Sequence, residues 1–153
     1  MAGRFPSASR RDEEVIDGVL GGLERRDGKR VYDRYTPDEL VVLLAWVCVQ
    51  VVQNGGLQFL FEHPMPRDED YSRTIDAFDQ IGAADAAGVL REAVSRIPSG
   101  AQPSDAHRRV AEFAGLPIDL RERLDHAMLV AIPEVARCLV EFIRARNLGS
   151  TEI

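Results

Sequence analysis

Glu62 and His63 stand side by side in a stretch broken by Pro64 and Pro66, and Asp68, Glu69 and Asp70 follow closely. A carboxylate beside an imidazole in an irregular loop could do acid–base work or hold a metal ion. Glu62, Asp68, Glu69 and Asp70 could also gather around a hard cation, but they lack the ordered spacing of a calcium loop. The other histidines, His107 and His126, fall in helical patterns elsewhere. Cys48 and Cys138 each sit in an apolar pattern and read as buried small hydrophobes in a reducing compartment, not as a zinc signature or a disulfide. The chain contains no HExxH, no GxGxxG, no Walker phosphate loop, no GxSxG and no CxxC. The sequence therefore predicts a protein that is not an enzyme and takes no cofactor. A metal-dependent enzyme at the Glu62-His63 loop is the weakest of the alternatives, behind an exposed loop histidine.

The elements that must position these residues start at Thr36. Thr36 is an N-cap candidate, Pro37 sits where its missing N–H is harmless, and Glu39 completes a capping box. From Leu40 to Val52 the only polar residue is Gln50. Thirteen helical residues span roughly 20 Å, short of a bilayer core of about 30 Å, so a buried central helix is expected and not a membrane span. Asn54-Gly55-Gly56 should stop that helix, because Asn and Gly reach backbone conformations that other residues avoid. Leu57, Phe59, Leu60 and Phe61 would then form a short helical turn packed back on it. In this reading Asn54, Gly55 and Gly56 set the turn and Gln58 and Phe59 fasten it; if buried, Gln58 would need its amide satisfied by main-chain groups around the turn.

Around that centre the spacing of apolar residues predicts further helices. Val15, Ile16, Val19, Leu20 and Leu23 give a first helix over about 12–23, weakened at its end by Gly21-Gly22. Residues 24–35 read as a solvated linker with the pair Tyr32/Tyr35, and residues 1–9 as disordered. Asp68-Glu69-Asp70 can cap a helix over about 70–81 that ends at Gly82. Asp85 can cap another to Ile97. After a loop over 98–103, Ser104 or Asp105 can cap a helix to Ala114. A helix from about Asp119 meets Pro133, which marks a kink or a new first turn, and Asn147-Leu148-Gly149 looks like the final C-cap. The expectation is an all-α single compact domain over 10–150, with six to seven helices around the central apolar one.

The run Asn54-Gly55-Gly56-Leu57-Gln58-Phe59-Leu60 resembles the hallmark of a bacterial family of uncharacterised domains that includes a DNA-mimic protein. Ile81-Gly82-Ala83, Ala86 to Ala93 and Trp46 continue the likeness, which covers residues 36–97 well. Leu57 departs from the family's usual aromatic residue, and Glu62-His63-Pro64 from its usual polar and glycine residues. The resemblance implies an all-helical dimer whose acidic surface imitates DNA and binds a transcription factor.

Charge supports a binding role in its own terms. The net charge of −6 argues against direct binding to nucleic acid or an anionic membrane. Residues 35–96 carry ten Asp/Glu against four Arg and supply the whole deficit. If Glu62, Asp68, Glu69, Asp70, Asp76 and Asp79 share a face, they would present spaced negative charge to a basic partner, a transcription factor or nucleoid protein. The alternative is a structural, accessory or immunity-like protein that binds through an apolar surface. No signal peptide or membrane run is visible, so a cytoplasmic location is expected, with homodimerisation compatible with either reading.

Overall fold

The structure is a computed structural model that describes residues 7–63, 65–97 and 106–149. Six α-helices, and no strand, are found among them: α1 (Arg10–Asp27), α2 (Pro37–Glu62), α3 (Ser72–Ile81), α4 (Ala84–Ser95), α5 (Ala106–Ala114) and α6 (Ile118–Ala145). The protein is a single all-α domain. Helix α2 is its axis, flanked by α3, α5 and α6, while α4 bridges α3 and α6 and α1 lies on α6 and α2.

The capping box forms as the sequence predicts. Thr36 Oγ1 accepts from Glu39 N at 3.2 Å, and Glu39 Oε1 accepts from Thr36 N at 2.9 Å. The structure adds a clamp. Arg26, at the end of α1, donates to both oxygens of Glu39 at 2.9 and 3.0 Å. Burial pushes the Glu39 carboxyl up, but the Arg26 and Thr36 hydrogen bonds outweigh it and hold Glu39 below the usual carboxylate range. Thr36→Ala should cost about 1 kcal/mol of unfolding free energy. Urea denaturation would measure it, and a loss beyond about 2 kcal/mol would mean that the cap also orders the α1–α2 connection.

By length and composition α2 would suit a membrane span. Its Val42, Ala45, Cys48, Leu57, Leu60 and Phe61 are nevertheless fully buried inside the domain, so it serves as the core helix. It is also longer than expected, because the chain resumes helical geometry straight after the break at Gly55 and Gly56.

Other boundaries move for physical reasons. Ser9 accepts from Asp12 N at 3.1 Å and caps α1, and Ala8 is buried, so residues 7–9 are ordered against expectation; residues 1–6 lie outside the described chain. Gly21-Gly22 does not end α1, which continues to Asp27 because Leu23 is buried and Arg26 is anchored on α2. Ala83, and not Asp85, occupies the N-cap of α4, with Asp85 in its first turn. The loop over 98–103 and the Ser104/Asp105 cap lie outside the described residues. Pro133 sits within one continuous α6. Burial of Ile132, Val135, Ala136 and Leu139 around it outweighs the single backbone bond that proline removes. The last turn closes at Asn147, whose φ of 54° is left-handed. Asn147 N donates to Arg144 O and Leu148 N to Ile143 O, satisfying the terminal carbonyls.

Candidate functional site

The acids singled out in the sequence lie on the end of α2, the 65–71 turn and α3, but they do not play one role. Asp68 is corrected outright as a surface charge, being only 2% exposed. Its Oδ1 accepts from Arg73 N at 3.1 Å, and its Oδ2 accepts from Thr74 N at 2.7 Å and from the buried Thr74 hydroxyl at 2.6 Å. The carboxylate closes the open donors at the start of α3 from outside the helix. That leaves the N-cap residue, Tyr71, free for another task. Tyr71 sits in a left-handed conformation, fully buried, and its hydroxyl donates to Leu60 O and His63 O at 3.0 and 3.2 Å, pinning the end of α2.

Asp70 accepts from Ser72 N and Ser72 Oγ at 3.0 and 2.6 Å, and these bonds hold its carboxyl below the usual range. Asp79 is exposed and paired with Arg91 at 2.8 Å. Glu62, Glu69 and Asp76 are exposed and have no ion-pair partner among the described residues. The surface is not uniformly acidic. Arg67 and Arg73 line the same cleft of about 440 Å³ as Asp68, Glu69 and Asp70, with Arg67 paired to Asp33 at 2.6 Å.

The Asn54–Phe59 motif turns out to be a joint between helices. Gly55 is extended at φ −164°, and Gly56 takes φ 72°, a region that L-residues avoid. This reversal frees Leu57 N from the helix ladder, and Asp125 of α6 receives it at 2.9 Å. A Cβ on Gly56 would lie 3.1 Å from the same carboxylate. Burial raises the Asp125 carboxyl above the usual range, with the Leu57 N–H partly offsetting it. Asn54 and Gln58 are exposed, so a buried Gln58 is corrected: Leu57, Leu60 and Phe61 take the core-facing positions. Phe59 is half-buried and meets the His63 ring at 4.0 Å, while His63 Nδ1 lies 2.8 Å from Phe59 O. His63 is thus tied to its own helix. Among the described residues no three His, Cys, Asp or Glu side chains are grouped to hold a metal ion.

A second feature was not read from the sequence. Asp17 and Glu24 of α1, Tyr32 and Tyr35 of the α1–α2 connection, and Leu43 and Val47 of α2 line a cleft of about 300 Å³. The tyrosine rings meet edge to face, 5.4 Å apart. Asp17 Oδ1 accepts from the indole N–H of Trp46 at 3.1 Å. The available signal was Trp46 itself: a buried indole needs an acceptor, and Asp17 sits at the edge of the apolar stripe of α1.

The described residues thus form a helical domain whose acids are divided between helix caps, ion pairs and open surface. The chain belongs to the family described as DMP19-like protein, whose family model matches residues 33–146. That family takes its name from DNA mimic protein 19 and is not known for enzymes. No curated protein and no solved structure matches the chain. Helix α1, and with it half of the tyrosine-lined cleft, lies outside the matched stretch.

Proposed function

We propose that this protein is a cytoplasmic protein-binding module that offers acidic surface to a basic, DNA-binding partner in place of DNA. The observation that carries the reading is the set of exposed carboxylates without ion-pair partners, Glu62, Glu69 and Asp76, on adjoining elements of a DMP19-like domain. Such groups keep their full charge for an incoming cation, whereas Asp79 already shares its charge with Arg91. Spaced carboxylates can engage the Arg and Lys side chains that otherwise follow DNA phosphates.

The test is a capture experiment on source lysate at low and moderate salt, with the protein beside its Glu62→Lys/Glu69→Lys/Asp76→Lys variant. These sites are exposed, so the variant should unfold like the parent within about 0.5 kcal/mol per site. A DNA-binding protein should be captured by the parent, released by salt and lost from the variant. Its retention by the variant would instead favour an apolar surface. One observation speaks for that second reading: Val130, 45% exposed, stands over a groove between α4 and α6 beside Gly88 and Ala127.

A further inference from the structure

We propose that the cleft between α1 and α2 is a receptor for a single arginine side chain of the basic partner, an inference that rests on the protein-binding reading above. Asp17 and Glu24 lie two turns apart on α1 and both line the cleft. Neither has an ion-pair partner among the described residues, and no Arg or Lys lines the cleft. Two cations at the end of α1 are engaged elsewhere or line another groove as well. Arg26 is bound to Asp27 and Glu39, and Arg25 lies over Gly21 and Gly22 and lines the neighbouring groove toward α6.

The walls suit a planar cation. Tyr32 and Tyr35 present aromatic surface, and Leu43 and Val47 supply an apolar floor for an alkyl stem. Tyr35 is 7% exposed, yet its hydroxyl has no hydrogen-bond partner among the described residues. Because no side-chain polar atom is both buried and unpartnered there, that hydroxyl reaches the open cleft as a spare acceptor. Burial raises the Tyr35 hydroxyl above the ordinary tyrosine range, and the charges of Tyr32, Glu24 and Asp27 add to this, as expected for a negatively charged pocket. A guanidinium stacks on aromatic faces and offers five donors in a fixed fork, so it can use the rings, the carboxylates and the hydroxyl together. An ammonium would use fewer of them.

The protein carries its own reporter. Trp46 is its single tryptophan, and its indole N–H is bonded to Asp17. The full-length protein, labelled with nitrogen-15, would be titrated with a blocked Ala-Arg-Ala peptide, with the matched citrulline peptide, and with spermidine. The arginine peptide should shift the indole N–H resonance saturably, and the uncharged citrulline peptide should leave it in place. Glu24→Gln should weaken arginine-peptide binding about tenfold, the loss of one charge-assisted contact. Tyr35→Phe, which keeps the ring, should weaken it less. An equal shift with citrulline, no shift at the highest soluble peptide concentration, or tighter binding of spermidine would each overturn the proposal. The outcome is separable from the acidic-surface reading, because the Glu62/Glu69/Asp76 variant retains the cleft and should titrate like the parent even if it captures no partner.

Discussion

Gly56→Ala is expected to lower the unfolding free energy by about 3 kcal/mol. Two costs combine. Alanine must hold the φ of 72° seen at Gly56, which costs an L-residue roughly 1–2 kcal/mol. Its Cβ would also crowd the Asp125 oxygens at 3.1 and 3.2 Å, displacing the acceptor of the Leu57 N–H. Gly82→Ala sets a lower reference. Gly82 is left-handed at φ 86° and ψ 13°, and a Cβ there meets nothing within 4 Å, whereas the ψ of −168° at Gly56 lies in a region essentially confined to glycine. Equal losses at the two glycines in urea denaturation would show that neither this ψ nor the contact with Asp125 adds cost.

The same joint carries a pH signature. Burial raises the folded-state pKa of Asp125 above its unfolded value. Below the ordinary carboxylate range both states are protonated; as pH rises, the unfolded state ionises first, and the contribution of Asp125 to stability is lost as pH rises through its folded pKa. Asp125→Asn cannot ionise and keeps an oxygen for Leu57. It should therefore gain on the parent as pH rises from about 4 to 7. A constant difference across that window would show that Asp125 is not held in the protonation balance its burial implies.

Asp68→Ala is expected to cost about 3 kcal/mol, because Asp68 is the member of the acidic run that caps α3 as the sequence predicts. The change removes the acceptor for two backbone N–H groups and one hydroxyl, and Thr74 is fully buried, so water cannot replace it freely. Asp68→Asn should cost less, since one oxygen remains, but its amide group must face a donor. Glu69→Gln, one residue away and exposed, should stay within about 0.5 kcal/mol. Thermal melts of the three proteins would rank them. Similar melting points for the Asp68 and Glu69 variants would remove Asp68 from the support of α3.

The contrast between those neighbours shows what this sequence could disclose. The Thr36/Glu39 box, the break at Gly55 and Gly56 and the stop at Gly82 depend on residues within a few positions of one another, and each was legible. Asp68 and Glu69 differ only in which way a turn aims them, and that is set by Tyr71, whose left-handed backbone and buried hydroxyl belong to the packing of α2 on α3. Gln58 fastens nothing inside because Leu57, Leu60 and Phe61, at i, i+3 and i+4, take the core-facing positions of the resumed helix and leave it on the open side. Pro133 and Gly21-Gly22 carried true local signals that burial of α6 and α1 overrode. Asp125 and the Asp17–Glu24–Tyr35 cleft gave least warning, since their partners arrive from other helices. The family likeness compensated only for the stretch it covers.

The hydrogen bond from Leu57 to Asp125 spans 68 positions of sequence. The first part of α2 can grow from its own capping box, but the segment after Gly56 has a reversed backbone and an open N–H that no local residue fills. Its geometry is therefore settled only by docking, with α6 closing Leu57 N and Tyr71 holding Leu60 O. During folding, α2 should form in two stages, an early N-terminal rod and a later C-terminal elbow that waits for long-range docking. Amide protection should accordingly develop at Val42 to Val49 before it develops at Leu60 and Phe61. The glycine pair that looks like a stop signal thus divides one helix into a part that directs assembly and a part that records its completion.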